Sequence, residues 1–182
     1  MDHSDHLKLL TKGIPKPGGV WGEFGSGSGA FTLALAELIG PTGTIHSVDN
    51  NKGVINEQAH AIQRRFANKT PKMHYLIADY THKLDLPSLD GVLMANALHF
   101  QRNKGAVLRL ILDYLFPGGS FILVEYNIDR GNTWVPHPIS FKSWELLAQK
   151  CGYVNTRFLA GRSSRFLGEI YSTVSYKQGN GD

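Results

Sequence analysis

Thirteen residues near the start of the chain, Val20–Thr32 (VWGEFGSGSGAFT), restrict its possible folds more than any other stretch. A short apolar segment runs into Glu23. Glycines follow at alternate positions, Gly25, Gly27 and Gly29, and an apolar helix pattern begins at once in Phe31-Thr32-Leu33-Ala34-Leu35-Ala36. Glycine permits positive φ and lets the backbone approach a ligand closely. A helix start offers N–H groups with no intrahelical partner. A strand, a glycine turn and a helix start in that order form the frame of a nucleotide site. The turn reads as GxGxG, and with Ala30 it also satisfies the dinucleotide pattern GxGxxA. The glycines alone leave both readings open.

At 182 residues the chain suits one α/β domain and is short for a two-domain enzyme. Hydrophobic content of 42% against 19% charged predicts a packed core rather than disorder. The net charge of +4 comes from 19 scattered Lys and Arg against 15 acids, which argues against a nucleic-acid partner. A single cysteine, Cys151, excludes an intrachain disulfide and suits the reducing cytoplasm. Neither a signal peptide nor a membrane span is expected.

The elements alternate. A short helix over residues 1–12 has Leu7, Leu9 and Leu10 as anchors, and Pro15-Lys16-Pro17-Gly18-Gly19 breaks it. A strand is predicted at Val20–Phe24, a helix at Gly29–Ile39 and a strand at Thr44–Val48. Ile55, Ala59, Ile62 and Phe66 then fall on one face of a helix. Strands follow at Met73–Ala78 and at Gly91–Ala95, a helix at Lys104–Phe116, and a fifth strand at Ser120–Tyr126. Strands alternating with helices imply a parallel sheet with right-handed crossovers. Beyond the loop Asn127–Pro138, Ser140 can cap a helix that carries Phe141, Trp144, Leu147 and Cys151 on one face. Two strands, Tyr153–Leu159 and Phe166–Tyr176, are joined by Ala160–Ser164, too short for a parallel crossover, so they should form an antiparallel hairpin. The N-terminal His3 and His6 and the C-terminal Gln178–Asp182 read as frayed, solvated ends.

Ligands of open parallel sheets sit at the carboxyl ends of the strands. Glu23, Asp49, Asp79 and Asn96 occupy four such ends. Asp49 lies 20 residues beyond Gly29, where a carboxylate can accept both ribose hydroxyls. Asp79, one strand further out, can accept the exocyclic amine of an adenine, and Glu23 can meet a cationic amino group.

These residues, in EFGSGSG (Glu23–Gly29), VDNN (Val48–Asn51), ADY (Ala78–Tyr80), LMANALHF (Leu93–Phe100) and LFPGGSFILVE (Leu115–Glu125), give a chain that resembles the class I S-adenosylmethionine-dependent methyltransferases, near the quinone-biosynthesis group. The resemblance implies a Rossmann-like α/β fold, a seven-stranded sheet in the order 3-2-1-4-5-7-6 with strand seven antiparallel and helices on both faces. It implies S-adenosyl-L-methionine as cofactor, S-adenosyl-L-homocysteine as product and a small-molecule acceptor. The cofactor would meet Glu23, Gly25, Ser26, Gly27, Gly29, Asp49, Asn50, Asp79, Tyr80 and Asn96, with no metal. Residues 1–182 would form one domain: a cap segment (1–17), a cofactor-binding core (18–126), a C-terminal helix and hairpin (127–176) and a tail (177–182). No Tyr-x-x-x-Lys pair of the short-chain dehydrogenases is present. Asn96 is followed by Ala97-Leu98 rather than the Pro-Pro-aromatic of adenine-N6 and glutamine methyltransferases.

A sulfonium methyl is already activated, so the protein needs chiefly to align the acceptor and exclude water. A base is needed only where the acceptor must lose a proton. His99 is the candidate, set against the plainer reading of a histidine packed in its loop. Trp134 and His137 are candidates to line the acceptor pocket, and Arg162 and Arg165 are placed in a solvated hairpin turn. A cofactor-binding module without chemistry and an RNA methyltransferase are the alternative functions.

Overall fold

The computed structural model describes residues 1–67 and 69–180. Seven strands form one sheet: β1 (Val20–Phe24), β2 (Thr44–Asp49), β3 (Lys72–Ile77), β4 (Leu89–Ala95), β5 (Leu115–Tyr126), β6 (Tyr153–Ser164) and β7 (Gly168–Lys177). Their order is β3-β2-β1-β4-β5-β7-β6. The first five are parallel to one another, and β7 runs antiparallel to both β5 and β6. The helices are α1 (His3–Leu10), α2 (Ala30–Ile39), α3 (Lys52–Phe66), α4 (Lys104–Tyr114) and α5 (Phe141–Lys150).

Successive strand residues point to opposite faces, so each buried strand feeds two cores. In β5, Phe121 and Leu123 join one core while Ile122 and Val124 join the other. In β4, Val92 and Met94 divide from Leu93 in the same way. The first core packs against α4 and α5 through Leu108, Ile111, Trp144 and Ala148. The second packs against α1, α2 and α3 through Leu10, Leu35, Ile39 and Ile62. This two-sided burial explains why β4 carries no polar alternation.

The structure departs from the sequence expectations at four places, each where a distant segment outweighs a local signal. The helix expected to reach Phe116 stops at Tyr114, because Leu115 is drawn into the sheet opposite Leu89. The chain then bulges through Pro117-Gly118-Gly119 before Ser120 pairs with Gly91. The joint expected at Ala160–Ser164 is strand, since Gly161–Ser164 pair with Tyr171–Gly168, and the turn is the three residues 165–167. Arg162 is accordingly a strand residue, and it forms an ion pair with Asp5 of α1. The helix expected over residues 1–12 is present, but its start is not frayed: Asp2 caps it with a reciprocal Asp5 bond, and His6 is only 8% exposed, packed on Phe31. Lys177, expected to begin the tail, closes β7, and positions 181 and 182 lie outside the described residues.

Candidate active site

The carboxyl ends of β1, β2, β3 and β4 open onto one pocket of about 670 Å³. Its wall includes Glu23, Gly25, Ser26, Gly27, Asp49, Asn50, Asp79, Tyr80 and Asn96. Gly29, expected at the cofactor, and His99, expected as the base, are not part of that wall.

The glycine turn is shaped by what lies against it. Gly25 has φ +74°, and a Cβ there would come within 2.5 Å of the Ala97 methyl. The close approach of the two loops therefore requires glycine at this position. Gly27 has φ +54° and nothing within 4 Å of where a Cβ would stand, so its backbone faces open space. Its N–H donates to Asp49 Oδ2 at 2.9 Å, while Asn51 N–H donates to Asp49 Oδ1 at 2.9 Å. Both bonds fix the carboxylate, and each oxygen keeps a lone pair for a ligand. Gly29 begins α2 and faces inward onto the Gln58 side chain.

Under the turn lies a buried polar network that sequence reasoning missed. Ser47 Oγ stands 2.7 Å from both Ser26 Oγ and Gln58 Oε1. Ser47 has one proton, and the amide oxygen can only accept, so Ser47 donates to Gln58 and Ser26 donates to Ser47. Gln58 Nε2 donates onward to Thr32 Oγ1 at 2.9 Å and to the Gly27 carbonyl at 3.3 Å. The signal was present: Gln58 sits three residues after Ile55 and four before Ile62, a polar side chain on an otherwise apolar helix face.

Glu23 is 1% exposed, and its Oε2 has no hydrogen-bond partner. Burial pushes its carboxyl up to about 8, with Asp49 adding to the rise and the Thr32 hydroxyl opposing it. Asp79 is the opposite case. Thr81 donates to its Oδ1 through both N–H (2.8 Å) and Oγ1 (2.7 Å), and these bonds hold its carboxyl below the ordinary value.

The far wall is the loop after β4. Asn96 has φ +52°, donates its N–H to the Val124 carbonyl at 2.9 Å, and buries an unpartnered Oδ1. Tyr80 reaches across from the β3 side and donates its hydroxyl to the Ala97 carbonyl at 3.0 Å, while Gln101 Nε2 donates to that hydroxyl at 3.2 Å. Lys104 completes the tie by donating to the Gln101 carbonyl at 2.9 Å. Phe100 and Gln101 thus join the pocket wall, as do Met1 and His6 of the N-terminal segment, where His6 packs 4.5 Å from the Phe31 ring.

His99 lies behind this wall, with Nδ1 3.0 Å from both carboxylate oxygens of the fully buried Glu125. Glu125 closes the fifth quoted motif, and its place at the end of a buried strand was the available signal. Trp134, 75% exposed, and His137, also exposed, are absent from the pocket wall. Among the described residues no three His, Cys, Asp or Glu side chains gather as metal ligands, and no helix is long and apolar enough to cross a membrane.

Residues 18–174 match the methyltransferase-domain family. A curated protein of Dictyostelium discoideum named "Probable protein-L-isoaspartate O-methyltransferase" is 27% identical over 121 residues, which cover 66% of this chain and 37% of that protein. The chain thus spans little more than a third of the length of this relative. Among solved structures, a SAM-dependent methyltransferase of Methanosarcina mazei superposes with a TM-score of 0.72 at 14% identity, over 94% of this chain and 98% of the other. A phosphoethanolamine N-methyltransferase of Haemonchus contortus gives 0.76 at 13% identity, over 97% of this chain and 53% of the other. The chain belongs to the methyltransferase-domain family and shares the fold of S-adenosylmethionine-dependent methyltransferases.

Proposed function

We propose that the protein transfers a methyl group from S-adenosylmethionine to a small organic acceptor by in-line displacement, releasing S-adenosylhomocysteine. The observation that carries this reading is the convergence of Glu23, Asp49 and Asp79 on one pocket that also holds the glycine turn. The residues present fit the cofactor. Glu23 offers a buried oxygen without a partner, which a cationic ammonium would satisfy. Asp49, fixed by Gly27 and Asn51, accepts the ribose hydroxyls, with Asn50 beside it. Asp79 accepts the adenine amine, and Tyr80 forms a wall. Gly25, Ser26 and Gly27 leave room for the methionine part, Gly29 starts the helix behind them, and the Asn96 loop closes the far side.

The sulfonium supplies an activated methyl group. The protein contributes orientation and exclusion of water, which can account for most of the acceleration. His99 is the base for acceptors that must lose a proton, its Nδ1 oriented by Glu125 as a carboxylate orients an imidazole. Residues 1–182 act in this reading as one cytoplasmic domain, with 1–17 as cap, 18–126 as cofactor core, 127–176 as C-terminal helix and hairpin and 177–182 as tail. The position of His99 behind the pocket wall favours, as a second reading, a cofactor-binding module without turnover.

Titration calorimetry with S-adenosylmethionine and S-adenosylhomocysteine tests the first reading, with micromolar binding of both expected. No binding by either at millimolar concentration to the folded protein would sink it. Methyl transfer to any member of an acceptor panel would dispose of the second.

A further inference from the structure

Beside the cofactor pocket lies a second chamber of about 680 Å³. Its wall includes Tyr126 at the end of β5, Arg162 of β6, Arg165 and Phe166 of the β6–β7 turn, and Ile170 of β7. Asn96 and Met1 line both chambers, so the two meet at the carboxyl end of β4.

Among the described residues its wall carries two arginines and no acidic residue. Arg162 is anchored by its ion pair with Asp5, which answers much of its charge. Arg165 has no ion-pair partner among the described residues. Two aromatic rings, Tyr126 and Phe166, stand in the wall with Ile170 and the polar Asn96, Ser163 and Ser164. Tyr126 packs 6.0 Å from Phe166 and 6.3 Å from His99, which packs 4.4 Å from Phe100. Phe166 of this chamber is 50% exposed, and Phe100 of the first pocket is 59% exposed. Two aromatic rings and one unanswered guanidinium in a wall otherwise of small polar and apolar residues suit an organic anion, its body against the rings and its carboxylate on the fork of N–H donors.

We infer that this chamber holds the methyl acceptor, and that the acceptor is a small organic acid whose carboxylate is held by Arg165 and whose apolar body lies against Tyr126 and Phe166. This assignment rests on the proposed methyl transfer. In that transfer a nucleophilic atom of the acid bonds to the methyl carbon as the carbon–sulfur bond breaks. The electron pair stays on sulfur, giving the neutral thioether, and any proton on the nucleophile leaves to a base or to solvent.

The test is calorimetry on the full chain saturated with S-adenosylhomocysteine. The probes are 4-hydroxybenzoate, indole-3-acetate and cinnamate, each compared with its uncharged amide. At least one acid should bind about tenfold more tightly than its amide, the size of one charge-assisted bond at a partly exposed site. That preference should fall to about twofold or less in Arg165→Gln and survive in Arg165→Lys, with S-adenosylhomocysteine affinity unchanged in both. Equal binding of acids and amides, no binding of any acid, or a preference that persists in Arg165→Gln would overturn the assignment. The comparison of acid with amide on the unaltered protein stands even if a variant fails to fold. Failure of S-adenosylhomocysteine to bind the folded protein is a separate result, and it removes the methyl-transfer reading itself.

Discussion

The two sides of the active site are built on different physical terms. The cofactor side hangs on the β1, β2 and β3 ends. Its polar groups are buried and tied to backbone, as in the Ser26–Ser47–Gln58–Thr32 chain and the two N–H bonds to Asp49. The side proposed for the acceptor hangs on the β6–β7 hairpin, whose base is paired to β5 but whose arginines and Phe166, toward the turn, are exposed and tied to α1 by one ion pair. Buried polar networks tolerate little change because an unpaired member costs the full desolvation penalty. An exposed charged rim can vary at small cost. One scaffold can therefore keep its cofactor grip while the exposed hairpin rim changes.

This contrast can be broken or sharpened by mutation. The largest effect is expected at Gly25→Ala. Positive φ and a 2.5 Å approach to Ala97 should together cost about 3 kcal/mol or more and abolish cofactor binding, read by thermal melting and calorimetry. A variant that melts like the parent and binds normally would show that the turn is looser than described.

Next, Asp49→Ala should weaken S-adenosylhomocysteine about a hundredfold, the loss of two hydrogen bonds to a charged acceptor. Unchanged affinity would remove the ribose assignment.

Glu23 gives a pH signature with a definite sign. Burial pushes its folded carboxyl up to about 8, from an ordinary value of 4.5. Its contribution to stability is therefore complete below pH 4.5 and is lost as pH rises toward 8, where the unfolded chain is ionised and the folded one still binds a proton. The ligand-free protein should lose on the order of 2 kcal/mol between pH 6 and 8, and Glu23→Gln should flatten the curve. The same proton must leave when the carboxylate meets an ammonium, so cofactor affinity should rise between pH 6 and 7.5 in the parent and not in Glu23→Gln. Parallel curves for the two proteins would detach Glu23 from the cofactor.

The smallest effect belongs to the β6–β7 hairpin. Arg162→Gln should cost about 0.5 kcal/mol, since the pair with Asp5 is partly exposed. Its S-adenosylhomocysteine affinity should match the parent. A large drop in that affinity would mean that α1 and the hairpin hold the cofactor pocket as well.

Legibility in the sequence followed the same divide. β1 was readable to the residue because apolar run, glycines and helix start are all local signals. Asp49, Asp79 and Asn96 were readable because strand ends bring such residues to one sheet edge, whatever else the chain does. The hairpin was misplaced because Gly161-Arg162-Ser163-Ser164 has turn composition, yet its backbone pairs with β7. His6 was assigned to a frayed end because nothing nearby in the chain shows that Phe31 lies under it.

What the chain announces through its own residue order is the alternation of strands and helices, the glycine turn and the carboxylates that follow successive strands. These arise from backbone sterics and short-range periodicity, which a linear reading can follow. The isolation of Glu23, the tether of His99 to Glu125, and the closing of a second chamber by Arg162, Arg165 and Phe166 came only with folding. Each depends on burial and on pairings between distant segments, and desolvation and charge at such places are set by neighbours in space rather than by neighbours in the chain.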